Sequence, residues 1–376
     1  MNHRDLALAA MRGQPVDHIP FIARMELWFD YHRKHDTLPE PYKNASLWQM
    51  QRDLGIGIQG HGALGDPFYR LVPVGFEVTK EVTDGLVTIH YHTPYGTLRS
   101  CERWTEELQE VAAHGVRVEF PFKSARDYDA LRFIIENTRV AANLERYAEY
   151  VASLGTDGLA LPFSGYLPAH QLMLEYMGYE RFHYELQDHA TQVEAVIEAI
   201  TEQQYAILDL ATRCAAQAIE VGGNYVEDMT PPRFFDTFFA PFYRRARQIL
   251  GANNKILVVH GDGEMRGLLD KLMECGIEVV EAITPKPMTS IDIAQTRRLW
   301  RDRVTLWGGL ATVMLTETYS DGEFEEYLEA LFRDVAPGDR FILGFGDNVP
   351  TDAPFRRIQR VVEFWSQHGA YPLRAR

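Results

Sequence analysis

From about residue 216 onward the chain repeats one pattern: a short apolar run, then a stretch with the apolar spacing of a helix. AIEVGGNY leads into 232–250, KILVVHG into 265–274, EVVEAI into 291–300, VTLWGGL into 324–335 and FILGFGD into 355–368. Parallel strands need a crossover of a dozen or more residues rather than a tight turn, so this alternation calls for a parallel sheet with helical connections. Nearly every strand run ends in polar residues or glycine: Glu227 and Asp228, His260 and Asp262, Glu281, Gly308 and Gly309, Asp347 and Asn348. In parallel α/β folds the functional groups gather at those carboxyl ends, where the loops form a pocket mouth.

The N-terminal half is less regular. Residues 2–12 have helical spacing that Gly13 ends, and HIPFIARM then reads as extended. Between 72 and 104, β-branched and aromatic residues alternate across Asp84-Gly85 and Pro94-Tyr95-Gly96, which predicts an antiparallel hairpin or meander set into the chain. Residues 125–150 read as helical, as do 172–216 with breaks near Gly178 and Asp188. No internal repeat, low-complexity segment or linker divides the chain, so one domain over 1–376 is expected. The formal charge of −15 repels phosphate backbones and anionic lipid, which disfavours nucleic-acid and membrane-surface roles. Cys101, Cys214 and Cys275 are odd in number and widely spaced, so a reducing, cytoplasmic setting is expected. No run approaches the ~18 apolar residues of a membrane span.

His260 and Asp262 stand two apart at the end of an apolar strand and so share a face. An imidazole and a carboxylate so placed can share a divalent metal such as zinc; the plainer alternative is that Asp262 caps the next helix and His260 only hydrogen-bonds. Glu227 and Glu281, on the flanking strands, add a further ligand or a general acid/base, or else serve as helix N-terminal partners. Asp347 and Asn348 end the last run and can hold a polar substrate group, with Pro350 and Asp352 opening the final helix. His61 and the pair His90 and His92 permit metal binding but read more simply as solvated positions. Cys275 reads as structural, at a helix end capped by Gly276. The chain has no GxSxG elbow, Walker loop or glycine-rich dinucleotide fingerprint, which sets aside serine nucleophiles, nucleotide hydrolysis and Rossmann hydride transfer.

Four stretches carry a family resemblance: NHRDLALAAMRGQPVDHIPF, VEDMTPPRFFDTFFAPFYRR, VVHGDGEMRGLLDKLMECGIEVVEAITPKP, and ILGFGDNVPTDAPFRRIQRVVEF with HGAYP. In this order they resemble the uroporphyrinogen decarboxylase superfamily, which implies a single (β/α)₈ TIM-type barrel carrying the 72–104 hairpin as an N-terminal excursion. Decarboxylases of that superfamily have an arginine-rich RQAGRY segment after the first strand; here the place reads RMELWFDYHRKHD, with Arg24 as its basic group, which argues against a porphyrinogen substrate. The other large branch is zinc-dependent and works with corrinoid proteins on methanol, methylamine, coenzyme M or aromatic methyl ethers. Its H-x-C motif aligns with His260-Gly261-Asp262, and its later cysteine falls near Gly346, beside Asp347, so the histidine is kept and both sulfur ligands are absent.

The resemblance therefore implies a cytoplasmic methyltransferase that demethylates a small aromatic methyl ether or related methyl donor and passes the methyl group to a corrinoid. Its zinc ligands would come from His260, Asp262 and Glu227, its catalytic groups from Glu281 and Asp347, and its substrate contacts from Asn348, Arg24, Trp28, Tyr166 and Trp307. No DxHxxG cobalamin segment occurs, so the corrinoid is expected on a partner protein or free. The alternatives are a metal-independent decarboxylase, in which Asp347 or Glu281 handles protons and Arg24 grips a carboxylate, and a non-catalytic small-molecule binding protein. A homo-oligomer is compatible with the sequence.

Overall fold

The computed structural model describes residues 1–61, 67–110 and 115–373. Eight short strands run parallel: β1 (Ile22–Ala23), β2 (Gly57–Gly60), β3 (Gly158–Ala160), β4 (Ala218–Gly223), β5 (Ile256–His260), β6 (Val279–Ile283), β7 (Thr305–Leu310) and β8 (Phe341–Phe345). They form two sheets, β1-β2-β3 and β4-β5-β6-β7-β8, with every pairing parallel. Single parallel bridges join the sheets at both seams, Phe21 with Leu343 and Phe163 with Glu220. The fold is thus α/β with parallel sheets, as the strand and helix alternation requires.

The helices after β4 to β8 follow from that alternation, with local departures. The first is interrupted by a π-helical turn, Phe235–Phe239, before it continues as Ala240–Ala252. The last begins at Phe355, so Pro350 and Asp352 lie ahead of it and Asp352 is not its cap. A further departure lies in 125–150, which does not form one helix. Tyr128–Glu136 ends at Asn137, and Thr138–Ala142 is a strand paired antiparallel with Tyr69–Pro73. The β-branched Thr138 and Val140, partly buried against that partner, override the helical reading. Four antiparallel strands, Glu77–Thr83, Leu86–Thr93, Gly96–Arg103 and Val116–Glu119, make a separate sheet. Its first turn is the two-residue Asp84-Gly85 loop, both residues at positive φ (49° and 73°), as a tight hairpin needs. Among the described residues no helix is long and apolar enough to cross a membrane.

Strand alternation builds the interior in layers. Ile22, Leu159, Ala218, Val258, Val279, Trp307 and Ile342 form one buried apolar cluster with Ala7, Leu8, Ala10 and Met11 of the helix His3–Met11. That helix closes the amino-terminal end of the strands, and the Thr305 hydroxyl anchors it by donating to the Ala10 and Met11 carbonyls. Trp307, expected at a substrate, belongs to this floor, with its Nε1 donating to the Ile22 carbonyl at 3.1 Å. Trp28 is likewise core: it is 1% exposed, donates to the Ala353 carbonyl at 2.8 Å and stacks on Phe355. An indole buried on both faces with its N–H satisfied packs the fold and has no face left for a substrate.

His170, in the short helix Pro168–Gln171, is sealed among Tyr166, Tyr225 and Phe239, and its Nδ1 has no partner. Burial pushes its pKa down from 6.5 to about 4, so the fold holds it neutral while the unfolded chain takes up a proton below about 6.5. Stability is therefore lost as pH falls through that window, at about 1.4 kcal/mol per pH unit for one group. Urea unfolding measured between pH 7 and 4 is expected to show a shallower slope for His170→Gln than for the wild type; equal slopes would exclude this origin.

Candidate active site

Two residues beyond the apolar floor, on the same faces, the strands turn polar. Glu220 follows Ala218 on β4, His260 follows Val258 on β5, and Glu281 follows Val279 on β6. His260 and Glu281 are direct partners in the parallel register, which sets their side chains next to each other. Between Glu220 and Gly223 the register slips, and Gly223, at φ 135°, crosses His260 so closely that a Cβ there would lie 2.5 Å from the His260 Cβ. Ala282, beside Glu281, holds φ 58°, where the β6–β7 register also shifts. A non-glycine residue held at positive φ stores strain, and such strain clusters at functional sites.

The side chains converge. His260 Nδ1 lies 2.6 Å from Glu281 Oε2 and 3.6 Å from Glu220 Oε1, and its Nε2 lies 3.5 Å from Asp262 Oδ2. From β2, Gln59 Nε2 donates to Glu281 Oε1 at 2.8 Å and sits 2.9 Å from His61 Nε2. His61 Nδ1 is 3.5 Å from Glu220 Oε2. Just past β1, Arg24 bonds Asp347 at 3.1 Å, and Asn348 Nδ2 lies 3.5 Å from the same carboxylate oxygen.

Burial and mutual charge divide the roles. Burial pushes the Glu220 carboxyl up to about 8, with His260 pulling it down and Glu281 adding to the rise. Burial works against charge on Glu281 too, but the adjacent His260, with His61 and Arg24, holds it at about 2. Burial opposes protonation of His260, yet Glu281, Asp262 and Glu220 raise it well above the usual imidazole range. His61 is driven down to about 3 by burial and by the nearby Arg24 and His260 charges. At neutral pH the protein alone thus holds a His260–Glu281 ion pair beside a neutral carboxyl and a neutral imidazole.

Whether these residues suit a metal can be judged from one sealed atom. Glu220 Oε2 is buried and has no hydrogen-bond partner, a costly arrangement for a carboxyl oxygen. It belongs with His61 and Glu281 to a group whose ligand atoms all lie within 4.8 Å of one another. One nitrogen and two oxygen donors, two of them on buried carboxyls, suit zinc or a similar divalent cation. The three cysteines are buried apart from this group; Cys275 Sγ faces the Ala240 carbonyl at 3.9 Å, and burial raises its thiol to about 11.

Of the residues expected from sequence, the structure gathers His260, Asp262 and Glu281, with Arg24, Asp347 and Asn348 adjoining. Tyr166 stands at the rim, partly exposed, its hydroxyl 3.5 Å from Asn224 Nδ2. Glu227 is not part of the cluster: its carboxylate accepts the Gly267 amide ahead of the helix Leu269–Glu274, the helix-partner role. His90 and His92 stack on the separate antiparallel sheet. Glu220 and Gln59 were not expected, and His61, read from sequence as a solvated position, is drawn into the cluster instead. The signal for Glu220 and Gln59 is an isolated polar residue inside an otherwise buried apolar strand, in AIEVGG and in GIQG.

A family model described as uroporphyrinogen decarboxylase (URO-D) matches residues 107–368. No curated protein matches the chain. Among solved structures, a methyltransferase from Methanosarcina mazei is similar in fold, with a TM-score of 0.57 at 13% identity over 98% of this chain and 99% of that one.

Because Glu220 is pushed from 4.5 up to about 8, its carboxyl favours the fold only while protonated, and the fold loses stability as pH rises from 4.5 to 8. In metal-free protein, Glu220→Gln is expected to raise the unfolding free energy at pH 7 by about 2 kcal/mol, a gain that shrinks toward pH 4.5. A loss of stability at pH 7 would show that the carboxylate is structural.

Proposed function

The chain belongs to the uroporphyrinogen decarboxylase family, and from that premise we propose that it is a zinc-dependent methyltransferase, folded as a single (β/α)₈ barrel and working in the cytoplasm. It demethylates a small aromatic methyl ether or related methyl donor and passes the methyl group to a corrinoid, carried by a partner protein or free. The observation that carries this reading is the trio His61, Glu220 and Glu281, with the sealed, unpartnered Glu220 oxygen at its centre. The methyltransferase from Methanosarcina mazei, similar over nearly the whole chain, lends it support. The all-parallel pairing within both sheets, and the single parallel bridges that Phe21 and Phe163 make beside β1 and β3, support the barrel.

His61, Glu220 and Glu281 would hold the metal, with Asp262 and His260 alongside. Zinc with nitrogen and oxygen ligands supplies a Lewis acid for an ether oxygen, harder than a thiolate-bound one. The remaining work falls to the chain. Gln59 and His260 fix the two oxygens of Glu281, so that carboxylate keeps one orientation. His260, held charged between Glu281 and Asp262, keeps a fixed positive charge at the cluster, where it would favour negative charge developing on a leaving oxygen. Asp347 orients Arg24, and Asn348 and Tyr166 line the approach to the cluster. The apolar layer beneath these groups closes the cluster to water from the amino-terminal side.

The second reading, a metal-independent decarboxylase, draws on Arg24 and the charged His260, two cations able to receive a carboxylate. Elemental analysis of protein purified without a metal-affinity tag separates the two. Near-stoichiometric zinc is expected in the wild type, with at least a tenfold loss in His61→Ala and Glu220→Ala, and chelator-sensitive demethylation of methyl ethers by reduced corrinoid. Zinc-free protein that turns over in the presence of chelator would move the assignment to the decarboxylase.

A further inference from the structure

The end of β4 is distorted just where Glu220 leaves it. Glu220 pairs with Val258 and Gly223 with His260, so β4 carries one residue more than β5 over this span. A bulge of this kind re-aims the side chains around it and takes part of its own backbone out of the ladder. Gly222 at φ 67° and Gly223 at φ 135° allow the path, but glycine alone does not hold it.

Support comes from two sides. Toward β3, the Glu220 amide donates to the Pro162 carbonyl at 3.0 Å, and the Gly222 amide donates to the Gly165 carbonyl at 3.0 Å. The Glu220 carbonyl accepts both the amide of Ser164, at 2.8 Å, and its hydroxyl, at 3.0 Å. From the helix Ala240–Ala252, the Tyr243 hydroxyl donates to the Val221 carbonyl at 3.2 Å. That uses its one proton, so the Tyr225 hydroxyl supplies the proton of the bond between the two phenols. Both oxygens lie against the bulge: a Cβ on Gly222 would stand 2.6 Å from the Tyr225 oxygen and 2.7 Å from that of Tyr243. The π-helical turn Phe235–Phe239 comes directly before this helix, and its extra residue rotates all that follows by about 100°.

Both tyrosines are fully buried and pack on Phe235, and Tyr225 also on Phe239. Phenylalanine fills such space without taking a hydroxyl out of water, so shape alone does not call for two phenols here. What the hydroxyls add is a hold on one carbonyl, that of the residue after Glu220. The Glu220 carboxyl in turn lies 3.5 Å from His61 Nδ1 and 3.6 Å from His260 Nδ1, distances that a shift of the strand end would change directly.

We propose that Tyr243, supported by Tyr225, is a positioning residue: its hydroxyl braces the β4 bulge and so keeps the Glu220 carboxyl in reach of His61 and Glu281. The consequence for metal binding rests on the proposed function; the brace itself rests on the hydrogen bonds and the bulge.

The test uses the full-length protein and two readouts, amide hydrogen exchange without metal and zinc affinity by competition with a chelating dye. In Tyr243→Phe the amides of 218–223 are expected to exchange about tenfold faster than in the wild type, with β5 and β6 unchanged, and zinc to bind about tenfold more weakly. Tyr225→Phe is expected to move both readouts in the same direction, and is read in its place should Tyr243→Phe fail to fold. Tyr128→Phe removes another buried tyrosine bond, to Glu185 on a different helix, and is expected to change neither readout. Exchange at 218–223 no faster than in the wild type would overturn the proposal. So would a wild-type zinc affinity despite faster exchange there, or an equal loss of zinc in Tyr128→Phe, which would mark a general loss of stability. Wild-type protein that binds no zinc sinks the proposed function alone; the brace is then upheld by faster exchange confined to 218–223 and overturned by its absence.

Discussion

A charge taken out of water persists only beside a partner, and at the heart of this molecule His260 and Glu281 are each other's. Their adjacency is written into the sheet. Parallel pairing puts the two residues opposite each other on neighbouring strands, and a slip of one residue would turn one of them to the helix side. Gln59 ties the same carboxylate to a third strand, so a single polar contact set depends on the registry of two sheets. Burial keeps Glu220 and His61 neutral beside that charged pair.

The chain's pattern carried the architecture further than it carried the site. Alternation of apolar runs and helices after residue 216 was enough for the parallel sheet, because crossover length and burial are both local properties of the sequence. It did not separate 125–150 into a helix and a strand, since Thr138–Ala142 is a strand only by virtue of its pairing with the distant Tyr69–Pro73. His260, Asp262 and Glu281 were legible because strand ends in such folds have one function-bearing direction. Glu227 was misplaced because β4 ends at Gly223; the polar groups after that glycine pair belong to the loop, and the residue that counts, Glu220, lies inside the strand.

The aromatic residues illustrate the same limit from the other side. Trp28 and Trp307 look identical, in sequence, to residues that enclose a ring-shaped ligand. Only their buried faces and satisfied N–H groups reveal them as packing. His61 is the converse: in sequence it reads as a solvated position, and only its closeness to Gln59 and Glu220 draws it into the cluster.

The helix His3–Met11 shuts the amino-terminal end of the strands, leaving their carboxyl ends as the route to the polar cluster. A vessel closed at its base handles its contents in order: the last thing to arrive is the first that has to leave. Under the proposed function, a small methyl donor would have to settle before a protein-sized acceptor seated itself over the mouth, and the demethylated product would stay in place until that acceptor departed. On this view the pace of turnover is governed by the lifetime of an encounter between macromolecules, and an excess of acceptor would slow the reaction by sealing empty vessels.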